Sequence, residues 1–150
     1  MQALPPRGRL LGLDLGSKTI GLALSDSLRS LASPLETLRR GKLARDVAEL
    51  QAVIDARQPV ALVLGLPVNM DGSEGPRCQA TRQFARNITA AGIELPYAFW
   101  DERLSTAAVE RLLVEEADMS RAKRSTIVDK MAAAYILQGA LDALRASCQG

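Results

Sequence analysis

The sequence predicts an α/β fold with a five-stranded mixed sheet, a hairpin meander followed by βα units, and helices on both faces. Three observations predict it. Two apolar, β-rich runs, RLLGLDL (9–15) and TIGLALS (19–25), are joined by the tight turn Gly16-Ser17-Lys18, with glycine where positive φ is cheap. A continuous apolar run, 60–66, follows a helical pattern, as expected for a strand covered on both sides. Beyond it, helical and strand patterns alternate, which implies crossover units.

The elements follow in order. A third strand is expected between Ser30 and Leu38, on an edge because Pro34 interrupts it. From Lys42 to Arg57 the apolar residues Leu43, Val47, Leu50 and Ile54 keep helical spacing, and Pro59 lies beyond the end. The stretch 68–76, VNMDGSEGP, is dense in turn formers. Pro76 opens the next helix, whose expected apolar face is Ala80, Phe84, Ile88 and Ala91, and Gly92 ends it. Residues 96–102 read as the fifth strand. A helix is expected over 106–117 with Ser105 as N-cap, then a basic loop over 120–126, then a last helix from Ile127 to Ala146.

The chain has 150 residues, 47% apolar and 24% charged, which suits one domain with one core. Residues 1–8 and 147–150 are expected to be flexible tails. No apolar stretch is long enough to span a bilayer and no signal peptide is recognisable, so a cytoplasmic protein without membrane attachment is expected. Cys78 and Cys148 form no metal or disulfide pattern and are expected as reduced thiols.

There is no histidine. That removes Ser-His and Cys-His catalysis and His-based zinc sites. Any chemistry rests on carboxylates, lysine, hydroxyls or a metal held by oxygen. Net charge is only +2, but basic residues cluster at Arg39, Arg40 and Lys42 and again at Arg121, Lys123 and Arg124. Both clusters are expected in loops, where they are either a solvated surface or phosphate contacts.

Three acids stand at the ends of apolar elements: Asp14 on the first strand, Asp101 or Glu102 on the fifth, and Asp129 in the first turn of the last helix. In α/β sheets, sites form at the carboxyl ends of parallel strands. Each acid has a plain structural alternative. Asp14 can open the turn, Asp101 or Glu102 can pair with Arg103, and Asp129 can favour the helix dipole. Convergence of all three favours a hard divalent cation, because close carboxylates repel and Mg²⁺ takes oxygen ligands. Two such ions suit phosphodiester hydrolysis.

The motifs DLGSKTIGLALSD (14–26), VLGLPVNMDGSEGP (63–76), DERLST (101–106) and VDKMAAAYIL (128–137) resemble, in order and over nearly the whole chain, the YqgF/RuvX branch of the RNase H-like nucleases. The resemblance implies an RNase H-like fold. It also implies divalent-metal cleavage of nucleic acid, either in maturation of the small-subunit ribosomal RNA precursor or in resolving Holliday junctions. It implies two Mg²⁺ or Mn²⁺ ions, bridged by Asp14, with Glu102 and Asp129 each completing one and Asp101 as the alternate acid. Where RuvC-type sites carry a further aspartate, this chain has Ala132 and Ala133.

Candidate substrate contacts are Lys18 and Thr19 in the hairpin, Asn69 with the backbone N–H groups of its loop, Arg103, and Lys123, Arg124 and Ser125 ahead of Asp129. The expected partner is structured RNA or branched DNA, bound by a monomer or homodimer. With one Trp, two Tyr and two Phe, base stacking is minor and recognition runs through backbone shape. Two other readings remain. A sugar-kinase-type phosphotransferase shares the DxGxxxxG hairpin but needs two domains around ATP. A binding module of the same fold would bind RNA without cleaving it.

Overall fold

The computed structural model describes residues 4–104 and 121–149. The elements are β1 (Leu10–Leu15), β2 (Thr19–Ser25), β3 (Ala32–Arg39), α1 (Leu43–Arg57), β4 (Ala61–Leu66), α2 (Pro76–Ala90), β5 (Tyr97–Asp101), a 3₁₀ turn at Glu102–Leu104, and α3 (Arg121–Gln149). The five strands form one sheet in the order β3-β2-β1-β4-β5. β1 and β3 run antiparallel to β2, β4 runs parallel to β1, and β5 parallel to β4. The expected mixed sheet is therefore present.

Period-two alternation divides the central strands between two cores. Leu11, Leu13, Ile20, Leu22, Leu62 and Leu64 pack with Leu50, Val53 and Ile54 of α1 and Phe84, Ala85 and Ile88 of α2. The other face carries Leu10, Ala23, Ala61 and Val63 against Ala133, Ala134, Leu137, Ala140 and Leu141 of α3. All six residues of β4 are buried, as a strand covered on both faces requires. Among the described residues β3 pairs with β2 alone. Its ladder slips between Glu36, opposite Leu22, and Pro34, opposite Ala23. Proline has no N–H for the ladder, so a bulged edge is where it fits.

The α3 face is lined with small residues, which lets the helix lie close. A Cβ on Gly12 would lie 2.9 Å from Leu137 Cβ and 3.3 Å from the Ala133 carbonyl oxygen. Neither atom is a free side-chain tip. Gly12→Ala is therefore expected to lose about 1–3 kcal/mol by overpacking, measurable by urea denaturation. An undiminished stability would show that α3 does not seat on β1 there.

Two helix faces differ from the expected ones. In α2, Ala80 and Ala91 are solvent-exposed, while Cys78, Thr81 and Ala85 are buried with Phe84 and Ile88. Thr81 is accommodated because its hydroxyl donates to the Arg77 carbonyl at 3.0 Å. Burial also pushes the Cys78 thiol up from its ordinary range. In α1, Leu43 is 39% exposed and Val53 is buried instead. The expected basic loop over 120–126 is also corrected. α3 is already helical at Arg121 and runs to Gln149, so Lys123, Arg124 and Ser125 lie within the helix. Arg, Ala and Lys are good helix formers, and charge alone did not mark a loop. The helix expected over 106–117 lies outside the described residues. Among the described residues no helix is long and apolar enough to cross a membrane.

Candidate active site

Because β1, β3, β4 and β5 run the same way, their carboxyl ends share one edge of the sheet. The acids of β1 and β5 arrive there. Asp14 is a strand residue, paired with Gly21. The turn after it closes without its backbone, through the Gly16 N–H donating to the Thr19 carbonyl at 2.8 Å. Alternation places Asp14 on the same face as Gly12, toward α3. It is 6% exposed. Its place within the β1 ladder, ahead of the turn, sets it apart from a turn former.

Glu102 reaches the same face from the next strand but one. β5 stops at Asp101, and Glu102 opens the 3₁₀ turn. A Cβ on Gly65 would lie 3.3 Å from Glu102 Cγ and 2.5 Å from Ile136 Cδ1. The stem of Glu102 therefore lies over Gly65, beside α3. The parallel ladder pairs Leu13 with Leu64, so one step further along Gly65 neighbours Asp14. The bare glycine makes room for the carboxylate stem.

Asp101 is differently engaged. It accepts the Arg103 backbone N–H at 2.9 Å and the Arg103 guanidinium through Nε at 3.0 Å and Nη2 at 2.7 Å. Hydrogen bonds from Arg103 hold its carboxyl below the usual carboxylate range. Arg103 Nη1 also reaches the Met70 carbonyl at 3.5 Å, tying the end of β5 to the loop after β4.

Asp129 lies in α3, and its side chain is outside the described residues. The backbone register is informative. α3 meets Gly12 at Ala133, and Ala140 and Leu141 join the cluster of Leu10 and Ala61, at the amino ends of β1 and β4. Position 129 is one helical turn from 133 in the opposite sense, about 6 Å toward the edge where Asp14 stands. Among the described side chains no three acids or cysteines gather as a metal-ligand set; Asp129 is not among those side chains. The alanines at 132 and 133 are 2% and 0% exposed. Both are buried, Ala133 in the cluster with Leu10 and Ala61 and Ala132 in that with Ile136.

The other candidates are placed as follows. Lys18 is exposed in the turn, and its carbonyl accepts the Arg40 N–H at 2.8 Å. Thr19 opens β2 opposite Arg39. Asn69 is exposed but serves its own loop. Its Nδ2 donates to Ser73 Oγ at 3.0 Å and its N–H to the Ser73 carbonyl at 3.0 Å. The Gly72 N–H donates to the Asn69 carbonyl at 2.9 Å. Those two backbone N–H groups are therefore used within the loop. Lys123, Arg124 and Ser125 lie in α3, and their side chains are outside the described residues. One role was not legible in the sequence. Arg40 Nη1 donates to the Gly16 carbonyl at 2.7 Å and its guanidinium lies 5.4 Å from the centre of the Phe84 ring, clamping the turn that follows Asp14. Both partners are distant in sequence.

Comparison with known proteins agrees with this architecture. The family model described as "RuvX: Holliday junction resolvase" matches residues 8–143. A protein of Rhodospirillum rubrum is 64% identical over 142 residues, covering 95% of this chain and 88% of the relative. One of Phenylobacterium zucineum is 58% identical, covering 94% and 90%. Both are named, provisionally, as pre-16S rRNA nucleases. Among solved structures, Thermus thermophilus RuvC in complex with a Holliday junction substrate aligns at TM-score 0.56 and 17% identity, over 92% of this chain and 96% of that one. The yeast mitochondrial Holliday junction resolvase aligns at TM-score 0.51 and 13% identity, over 99% and 86%. The fold is thus the RNase H-like sheet of those resolvases, and with a family model spanning 8–143 and relatives at this identity, the chain belongs to the RuvX family.

Proposed function

We propose that this chain, all 150 residues forming one nuclease domain, is a divalent-metal-dependent endonuclease that cuts RNA in maturation of pre-16S rRNA. The observation that carries the reading is a buried Asp14 on β1 with the Glu102 stem over the neighbouring Gly65, on one face of the sheet's carboxyl edge. The names of the close relatives support the substrate.

The donor set fits a hard cation. Asp14 and Glu102 offer carboxylate oxygens only, and the chain has no histidine to favour zinc. Asp14, Glu102 and Asp129 would hold the ions, Mg²⁺ or Mn²⁺. When bound, such ions stabilise the charge that builds on the reacting phosphate and activate water for attack. The protein's own part is positioning. Asp14 is fixed by the β1 ladder and by the turn that Arg40 clamps. Glu102 is fixed by the 3₁₀ turn that Asp101 closes on Arg103. Lys18, Thr19, Arg103, Lys123, Arg124 and Ser125 are proposed to contact substrate phosphates, and the exposed Asn69 side chain to border the cut strand.

The second reading, resolution of Holliday junctions, is favoured by the description of the family model. One assay separates the two. The protein meets a pre-16S rRNA fragment and a four-way DNA junction, with Mg²⁺, with Mn²⁺ and with EDTA. Cleavage of the RNA, lost in EDTA, is the expected result. Paired symmetrical nicks in the junction with intact RNA would establish the second reading. Undiminished cleavage in EDTA would remove the metal from the proposal.

A further inference from the structure

We propose that Lys18, Arg39 and Lys42 form a phosphate-binding rim that carries the nucleic-acid backbone away from the acids across the β3–α1 side of the sheet. The proposal rests on the nuclease reading above and adds to it a direction for the bound strand.

The rim is assembled by the ladder. Arg39 is the last residue of β3 and pairs with Thr19 of β2. Asp14 pairs with Gly21, and Gly21 with Thr37. Alternation therefore puts Arg39 on the same face as Asp14. With strands about 4.8 Å apart and a rise of about 3.3 Å per residue, their Cα atoms are roughly 12 Å apart. Lys18 is brought alongside by the Arg40 N–H, which donates to its carbonyl. Lys42 follows two residues on, at the N-cap of α1.

All three side chains are exposed, and among the described residues none makes an ion pair. The acids close by are engaged elsewhere. Asp46 accepts the Gly41 N–H at 2.8 Å, and Glu49 pairs with Arg45 at 3.3 Å. Arg40, between them in sequence, is spent on the Gly16 carbonyl and the Phe84 ring. Three like charges on adjoining backbone segments repel, and a polyanion relieves them. The partner of matching chemistry beside a phosphodiesterase site is the ribose-phosphate backbone, which binds by releasing counterions.

The test measures binding of a fluorescein-labelled single-stranded RNA in EDTA, so that nothing is cut, over a series of KCl concentrations. Arg39→Gln/Lys42→Gln is compared with wild type and with Arg7→Gln/Arg57→Gln, which removes the same charge away from this edge. At about 0.7 in log–log slope per phosphate contact, losing two contacts lowers the salt slope by about 1.4 and weakens binding about 25-fold at 0.1 M KCl. The control pair is expected to move neither by more than a small fraction of that. Arg39→Lys/Lys42→Arg is expected to restore binding, since the charge is kept. Equal losses in both double variants, or no loss in the rim variant, overturns the rim. If the rim variant binds normally while wild type still cleaves with metal, the nuclease reading stands and only the rim falls. If wild type binds no RNA in EDTA, the rim falls, and cleavage with metal alone decides the nuclease reading.

Discussion

Asp14→Asn is expected to leave a folded protein whose kcat/KM for RNA cleavage falls about 10³-fold or more. The amide has nearly the shape of the carboxylate, so the β1 ladder and the Gly12 seat of α3 are untouched. What is lost is the charge proposed to hold the cations. Metal stabilisation of the reacting phosphate contributes several kcal/mol, and about 1.4 kcal/mol corresponds to a tenfold rate. Metal-linked stability should be lost with it. In Mg²⁺ wild type should gain, by about 2.7 kcal/mol when the ion is at a hundredfold its Kd, and the variant should not. Thermal melts with and without metal, beside a cleavage time course, read both effects. A variant that cuts at the wild-type rate removes Asp14 from the chemistry. A variant that melts far lower in EDTA makes Asp14 a structural acid.

The order of elements was legible because it rests on local patterns. Apolar, β-rich runs marked β1 and β2, a glycine turn joined them, and Pro34 told an edge from a centre. Which side of a helix is buried was less legible. Alanine suits core and surface alike, so extrapolating from Phe84 and Ile88 to Ala80 and Ala91 had no energetic discriminator. The buried Thr81 looked polar because its bond to the Arg77 carbonyl is invisible in a residue list. The same holds at the site. Asp14 stood out as an acid inside an apolar run. The choice between Asp101 and Glu102 depends on which face Gly65 presents to α3, a relation between β4, β5 and a helix more than thirty residues away. The Arg40 clamp has the same character, since Gly16 and Phe84 are remote from it in sequence. Ala132 and Ala133 could be read as a departure from the RuvC pattern; their burial against the sheet could not.

That choice is the second large effect. Glu102→Gln is expected to lower kcat about 10²-fold or more and to raise the Mg²⁺ concentration needed for half-maximal rate. Asp101→Asn should lower kcat less than tenfold. The amide oxygen of Asn still accepts the Arg103 N–H, so the turn that swings Glu102 back over Gly65 stays closed. What is given up is the carboxylate charge and the second oxygen, which accepts the Arg103 guanidinium. With side chains 22% and 34% exposed, that pair is screened by solvent and contributes little. Glu102→Asp sharpens the contrast. Glu102 leaves a 3₁₀ turn beyond the end of β5 and reaches back across Gly65, so its second methylene spans distance as well as carrying charge. Shortening it keeps the charge and loses the reach, and activity should fall nearly as far as in Glu102→Gln. Were charge alone required, Glu102→Asp would remain active. Were Asp101 the metal-holding acid, Asp101→Asn would be the dead variant and Glu102→Gln the active one. The paired kcat and Mg²⁺ titrations therefore separate reach, charge and identity of the acid in one series.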